Sequence, residues 1–380
     1  MVHPLSRGKD RDSFEKEKLT PPSSLLLSQT DTHTSSNSLY LKMEKILITG
    51  GAGYIGSHTA VTLVEAGYLP IIVDDFSNSD KSVLNGLKTI LNQEVPYYEG
   101  DCNDRALMKR LFTEHSLKGV IHFAANKAVG ESTAVPLKYY RNNVGSLVVL
   151  LETMAEFGVT DLVFSSSCTV YGQPDELPVK ETTPRKDAES PYGNTKKICE
   201  DILVDVTKSA AGTRIISLRY FNPIGAHPSA LIGELPLGVP ANLIPFVTQT
   251  GVGIREKLTV FGNDYDTPDG TCVRDYIHVL DLADAHLKAL EYLTDKPGSF
   301  YDLFNVGTGN GNTVLEVIQA FEKVSGKALN YQIGPRRPGD VEKVWADTSK
   351  ISEKLGWTPK HSLEDALRDS WNWQLALAKK

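Results

Sequence analysis

From Lys45 onward, short apolar runs alternate with longer stretches whose apolar positions recur every three or four residues. Residues 46–49, 71–74, 95–98, 120–123 and 162–165 have the length and apolar content of buried strands. Between them, 55–66, 84–91, 106–112 and 137–157 carry helical spacing, the last with a long apolar stripe. Strands alternating with helices predict an α/β fold around a parallel sheet, and right-handed crossovers make that sheet doubly wound. After Arg219 the rhythm loosens through the Pro- and Gly-rich segments 221–228 and 235–240. Helical spacing then returns at 280–293, 314–324 and 363–377. The expected division is a first domain over 43–222 and a smaller C-terminal lobe over 223–380, with some segments of the lobe returning to the first domain.

Residues 1–42 stand apart. They are rich in Ser, Thr, Lys and acids, and Pro21-Pro22 breaks any helix. They read as a disordered extension, or as an upstream start with Met43 as the natural first residue. Leu25-Leu26-Leu27 is too short for a signal peptide, and Asp10, Asp12, Glu15, Glu17 and Asp31 argue against a transit peptide. The remaining bulk properties act mainly by exclusion. A net charge of −7 disfavours nucleic acid or an anionic membrane as a general partner. No apolar run approaches the roughly 20 residues that span a bilayer. The four cysteines, with no CxxC spacing, point to reduced thiols in a cytoplasmic protein rather than to disulfides or a metal site.

The first strand runs into Gly50-Gly51-Ala52-Gly53-Tyr54-Ile55-Gly56, and a helix follows. A GxGxxG string alone marks no more than a tight turn. Here it lies between strand and helix, and an acid ends the next strand. Gly50, Gly53 and Gly56 would let the backbone approach a pyrophosphate at the helix start. Asp74 lies 18 residues beyond Gly56, where a carboxylate binds the adenosine ribose and repels the extra phosphate of NADP. Asp75 can share that role, because the doubled acid leaves the register open. The loop therefore predicts NAD in a Rossmann sheet.

Ser190-Pro191-Tyr192-Gly193-Asn194-Thr195-Lys196 sets Tyr192 and Lys196 four residues apart at a helix start, hence on one face. A phenol of pKa ~10 becomes a base near pH 7 only with about 4 kcal/mol of help. One cation ~4 Å away supplies roughly that at an effective dielectric of 20; Lys196 is such a cation, and oxidised nicotinamide would be a second. A solvated helix face carries such a pair by chance. The run Ser165-Ser166-Ser167 at a strand end adds a hydroxyl, Ser167, able to pass a proton to Tyr192.

These motifs resemble those of the extended short-chain dehydrogenases/reductases, and more narrowly the UDP-glucose 4-epimerase family. The resemblance runs from Met43 to near the C-terminus. It includes ITGGAGYIGSHT at 48–59, NKAVGES at 126–132, SSSCTVYG at 165–172 and SPYGNTK at 190–196. It continues with RYFNPIGAHP at 219–228, FGNDYDTPDGTCVRDYIHV at 261–279 and PRRPGD at 335–340. Cys168 stands where Ala is frequent, and Asp75 where Asn is frequent. The resemblance implies interconversion of UDP-glucose and UDP-galactose with tightly bound NAD. Tyr192 would be the base, Ser167 the hydroxyl at the reacting oxygen, and Lys196 the holder of the nicotinamide ribose. Tyr54, Ile55, Asp74, Asp101, Cys102, Phe123, Ala124, Lys127, Asn142, Tyr220 and Phe221 would line the rest of the NAD site. Asn222, Asn242, Leu243, Thr259, Val260, Phe261, Arg274, Arg337 and Asp340 would hold the UDP-hexose. Val344, directly before Trp345-Ala346-Asp347, would lie beside the sugar's 2-position and leave room for an N-acetyl group. The family also implies a homodimer through 106–112 and 137–157.

Two alternatives use the same scaffold. A sugar-nucleotide 4,6-dehydratase needs an acid pair after the active-site Ser, where this chain reads Cys168-Thr169-Val170. A non-catalytic NAD sensor would lose the Tyr/Lys pair, which is kept. His122 reads as a buried histidine satisfied by backbone, and His227 and His278 have no metal-ligand spacing. The aromatic C-terminal stripe around Trp371 reads as core.

Overall fold

A computed structural model describes residues 43–209, 212–337 and 340–379, so the expectations for 1–42 lie outside the described residues. Met43–Lys380 forms one compact unit. Its first six strands are β1 (Lys45–Thr49), β2 (Leu69–Asp74), β3 (Tyr97–Glu99), β4 (Leu117–His122), β5 (Asp161–Ser167) and β6 (Arg214–Tyr220). With the strand Phe300–Val306 they make a seven-stranded parallel sheet. Its order is Phe300–Val306, β6, β5, β4, β1, β2, β3.

Helices cover both faces, which is why β2 and β5 are buried at every position and lack a polar alternation. Ile46, Ile48, Ile72, Ile121, Val163 and Ile216 from the sheet share one core with Leu63, Leu282, Leu290 and Leu293 from the helices Tyr54–Glu65 and Val279–Thr294. The strand order reverses between β1 and β4. Open α/β sheets form their ligand crevice at that switch, outside the carboxyl ends of the strands.

Three short pairings build the other side of that crevice. Asn222–Ile224 runs parallel to Tyr276–His278, and Leu258–Phe261 to Tyr331–Gly334. Val273–Arg274 pairs with both Asn312–Thr313 and Lys343–Val344. The helices Leu243–Gly251, Val314–Ser325 and Leu363–Leu377 pack around Phe321 and Trp371, whose rings meet edge to face.

Two expectations need correction. The segment 137–157 is not one regular helix, since a π turn at Tyr140–Val144 separates Pro136–Tyr139 from Gly145–Phe157. Buried Asn143 bonds Asn126 backbone and Thr195, while its neighbour Asn142 lines the crevice. His122 is satisfied not by backbone but by the Thr49 hydroxyl, 2.7 Å from Nδ1. β6 and Phe300–Val306, which the apolar pattern did not single out as strands, complete the sheet, the second of them a segment of 223–380 that returns to it.

Candidate active site

The glycine loop turns because Gly50 adopts φ 69°, a left-handed conformation that costs a side-chain-bearing residue. A Cβ on Gly56 would stand 2.4 Å from the Gly50 carbonyl oxygen, so the helix can approach the loop only without one. The helix Tyr54–Glu65 opens here with no side-chain cap, leaving its first N–H groups facing the crevice. Asp74 ends β2 against this loop. Its carboxylate accepts Ala52 N–H at 3.0 Å, Phe76 N–H at 2.9 Å and Ser79 Oγ–H at 2.8 Å. Burial raises the Asp74 pKa while those bonds oppose the rise. Asp75 is exposed and bonds Ser77, so the two acids differ in environment although both border the crevice.

The carboxyl ends of the next strands deliver Asp101 and Cys102 after β3, Phe123 and Ala124 after β4, and Tyr220 and Phe221 at β6. Neutral His286 braces two of these: its ring lies 4.7 Å from that of Phe123 and its Nε2 accepts the Tyr220 hydroxyl. Sequence reading missed His286, because a lone histidine on a core helix carries no signal. Tyr54 reaches across to donate to the Gly225 carbonyl at 2.7 Å. Lys127 lies 3.5 Å from Glu234, which also accepts Asn242 Nδ2 at 2.7 Å. Glu131 and Asn126 border the same space; both stood within the quoted 126–132 motif, unassigned.

Pro191 begins the helix Pro191–Ser209, and Ser190 Oγ accepts Gly193 N–H at 3.2 Å. One turn apart on its inner face, Tyr192 and Lys196 meet the end of β5. The Tyr192 hydroxyl bonds Ser167, and Lys196 Nζ donates to the Ser165 carbonyl at 2.6 Å over the Phe164 ring. Burial pushes Tyr192 up to about 12, Ser167 opposes the rise, and the Cys168 thiol adds to it. Burial brings Lys196 itself down to about 8.

Toward the C-terminal side, Arg274 forms an ion pair with Asp340 at 2.5 Å, and the Arg337 guanidinium lies 4.6 Å from the Phe261 ring centre. Asn222 follows β6, Asn242 and Leu243 start a helix, and Thr259, Val260 and Phe261 lie on one strand. Val344 is buried beside Arg274 in strand register and clusters with Tyr171 and Phe221. Every residue named from the sequence for cofactor or substrate borders one continuous cleft of about 1490 Å³. Among the described residues, no group of three or more His, Cys, Asp or Glu is placed to hold a metal ion.

A family model described as GDP-mannose 4,6 dehydratase matches residues 47–370. The UDP-glucose 4-epimerase of Bacillus subtilis (strain 168) is 51% identical over 329 residues, 87% of this chain and 96% of that protein. The chain belongs to the UDP-glucose 4-epimerase family. Its fold matches the epimerase of Bifidobacterium longum, solved in complex with NAD+ and UDP, with a TM-score of 0.84 and 47% identity. That match covers 87% of this chain and 98% of that one. It also matches the UDP-Glc/GlcNAc 4-epimerase of Campylobacter jejuni, with a TM-score of 0.75, 38% identity, and coverage of 88% and 99%. The glycine loop, Ser167 and Tyr192, and the paired Arg274 and Asp340 all open onto the same space.

Proposed function

We propose that this chain interconverts UDP-glucose and UDP-galactose by reversible oxidation at the sugar's C4. The reading rests on the single cleft that joins a dinucleotide cradle, the Ser167–Tyr192–Lys196 group and an arginine-bearing nucleotide end. NAD, retained through the cycle, supplies the acceptor for the C4 hydride and the source from which it returns. The Gly50–Gly56 backbone and the helix start would hold its pyrophosphate, and Asp74 its adenosine ribose. Lys196 would hold the nicotinamide ribose, with Phe123 and Tyr220 forming the wall.

Tyr192 takes the proton from the 4-hydroxyl and returns it after the sugar has turned, with Ser167 bonded to both oxygens. Arg274 and Arg337 bind the diphosphate, Asp340 the uridine ribose, and Asn222 and Asn242 orient the nucleotide. Anchoring through the nucleotide leaves the keto hexose few polar contacts, so it can present its opposite face. A 4,6-dehydratase would need an acid pair beyond Ser167, and Cys168-Thr169 supplies none.

Val344 deepens the reading to substrate size. Its short side chain stands where bulk would close the cleft beside Arg274. The enzyme therefore also accepts UDP-N-acetylglucosamine and UDP-N-acetylgalactosamine. It works in the cytoplasm, in keeping with four unpaired cysteines. No described helix is long and apolar enough to cross a membrane. It acts as a homodimer through Arg105–Glu114 and the packed helix Gly145–Phe157, where Val148 and Phe157 are exposed.

The deciding experiment incubates purified protein with UDP-galactose, without added NAD, and follows the sugar by NMR. UDP-glucose should accumulate to equilibrium. Turnover that persists after complete removal of bound NAD, or a deoxy product formed with loss of water, would reject the reading.

A further inference from the structure

The buried stripe of the helix Pro191–Ser209 continues one turn beyond Lys196, where Glu200 follows at the same four-residue interval. Glu200 and Arg219 are 2% and 3% exposed. The guanidinium grips the carboxylate with two bonds, Nε to Oε1 at 2.8 Å and Nη2 to Oε2 at 2.7 Å. Ser166 Oγ donates to Oε1 at 2.6 Å, and Arg185 reaches Oε2 at 3.4 Å. Arg219 also donates to the Tyr171 hydroxyl at 2.8 Å, and that hydroxyl donates to Asn305 at 2.6 Å.

Each strand partner adjoins a residue of the cleft: Ser166 precedes Ser167, and Arg219 precedes Tyr220. A buried ion pair seldom stabilises a fold more than apolar residues of the same volume, because both charges must leave water. A two-pronged pair does impose direction, since its bonds form in one geometry.

We propose that Glu200 is a positioning residue for the reaction. Gripped by Arg219, it holds the helix bearing Tyr192 and Lys196 in register with β5 and β6, and it is the counter-charge to the Lys196 ammonium. This rests on the epimerase reading of the cleft and deepens it. The groups facing Lys196 are few. Its own helix brings Tyr192, Cys199 and Glu200; β4 brings His122, held neutral by burial. The strand β5 offers the Ser165 carbonyl and the Phe164 ring, and β6 brings Arg219 and Tyr220. Of these, Cys199 and Glu200 raise the ammonium pKa against the burial that lowers it to about 8.

The test compares the NAD-loaded protein with Glu200→Gln, Glu200→Asp and the double variant Glu200→Gln/Arg219→Gln, which leaves no unpaired buried charge. Two quantities are followed from pH 6 to 10: kcat/KM for UDP-galactose, and the Lys196 Cε resonance in ¹³C-lysine protein, assigned with Lys196→Arg. In Glu200→Gln, which leaves the Arg219 charge uncompensated, the Lys196 midpoint should move down by about one pH unit. In the double variant, which removes both charges, it should move less, and turnover should fall in both. Glu200→Asp should lose turnover at every pH while its Lys196 midpoint stays in place. An unmoved Lys196 midpoint in Glu200→Gln, or full turnover in Glu200→Asp, overturns the proposal. An unmutated protein without epimerase activity would sink the functional reading instead, and the resonance would still judge Glu200.

Discussion

Removing the Ser167 hydroxyl should slow the reaction by raising the Tyr192 pKa. Burial pushes Tyr192 up to about 12, and the Ser167 bond is the contact that opposes this rise. A hydrogen bond to a charged group is worth about 1.5–3 kcal/mol. At ~1.36 kcal/mol per pH unit, its loss raises the phenol by roughly one to two further units. The phenolate fraction near neutrality then falls about ten- to a hundredfold, and kcat/KM of Ser167→Ala falls with it. The fold should survive. Ser167 Oγ otherwise accepts the Thr169 N–H at 3.2 Å and Thr169 Oγ–H at 3.0 Å, a cap whose loss costs ~1 kcal/mol. Initial rates on UDP-galactose, quenched and resolved by chromatography from pH 6 to 10, report that loss. Because the phenol titrates above this range in both proteins, the loss should be the same at every pH within it. An unchanged kcat/KM would show that Ser167 does not tune Tyr192.

Four further outcomes follow from the same geometry. Tyr192→Phe should retain NAD and fold while losing at least ~10²–10⁴ in turnover; near-normal rates would remove Tyr192 from the proton transfer. Asp74→Ser should weaken NAD retention and narrow the preference over NADP, measured by fluorescence titration, and equal binding before and after would point to Asp75. Gly56→Ala places a Cβ 2.4 Å from the Gly50 oxygen, so overpacking of ~1–3 kcal/mol should lower both Tm and the NAD content of the purified protein. Val344→Tyr should abolish activity on the two N-acetylated nucleotides and spare the plain hexoses. Absence of N-acetyl turnover in the unmutated protein would refute the role given to Val344.

Elements whose chemistry is local were legible in the chain. The cofactor loop is a contiguous strand, turn and helix, so spacing alone carries its glycines and the acid that ends β2. Tyr192 and Lys196 share one helical turn for the same reason. The choice between Asp74 and Asp75 was not legible. Adjacent residues of an extended chain point to opposite sides, and the pleat of β2 sets Asp74 against the loop and turns Asp75 to solvent.

The remainder depended on contacts between distant segments. β6 pairs with β5 53 residues earlier and with Phe300–Val306 86 residues later, so neither neighbour can be read from local periodicity. The π turn at Tyr140–Val144 coincides with bonds from Asn143 to Asn126 and Thr195, partners that no local pattern announces. Residue types and short spacings were thus enough to name the cofactor and the Tyr192–Lys196 pair, because each depends on neighbours in the chain, whereas the candidate ligands of the nucleotide came from the family resemblance. Only the tertiary structure decided that these groups border one cleft, that burial holds Tyr192 near 12, and that a Glu200–Arg219 pair lies beneath them. The physical reason is that burial and charge pairing are set by whatever packs alongside, and here those partners come from β5, β6 and the C-terminal half of the chain.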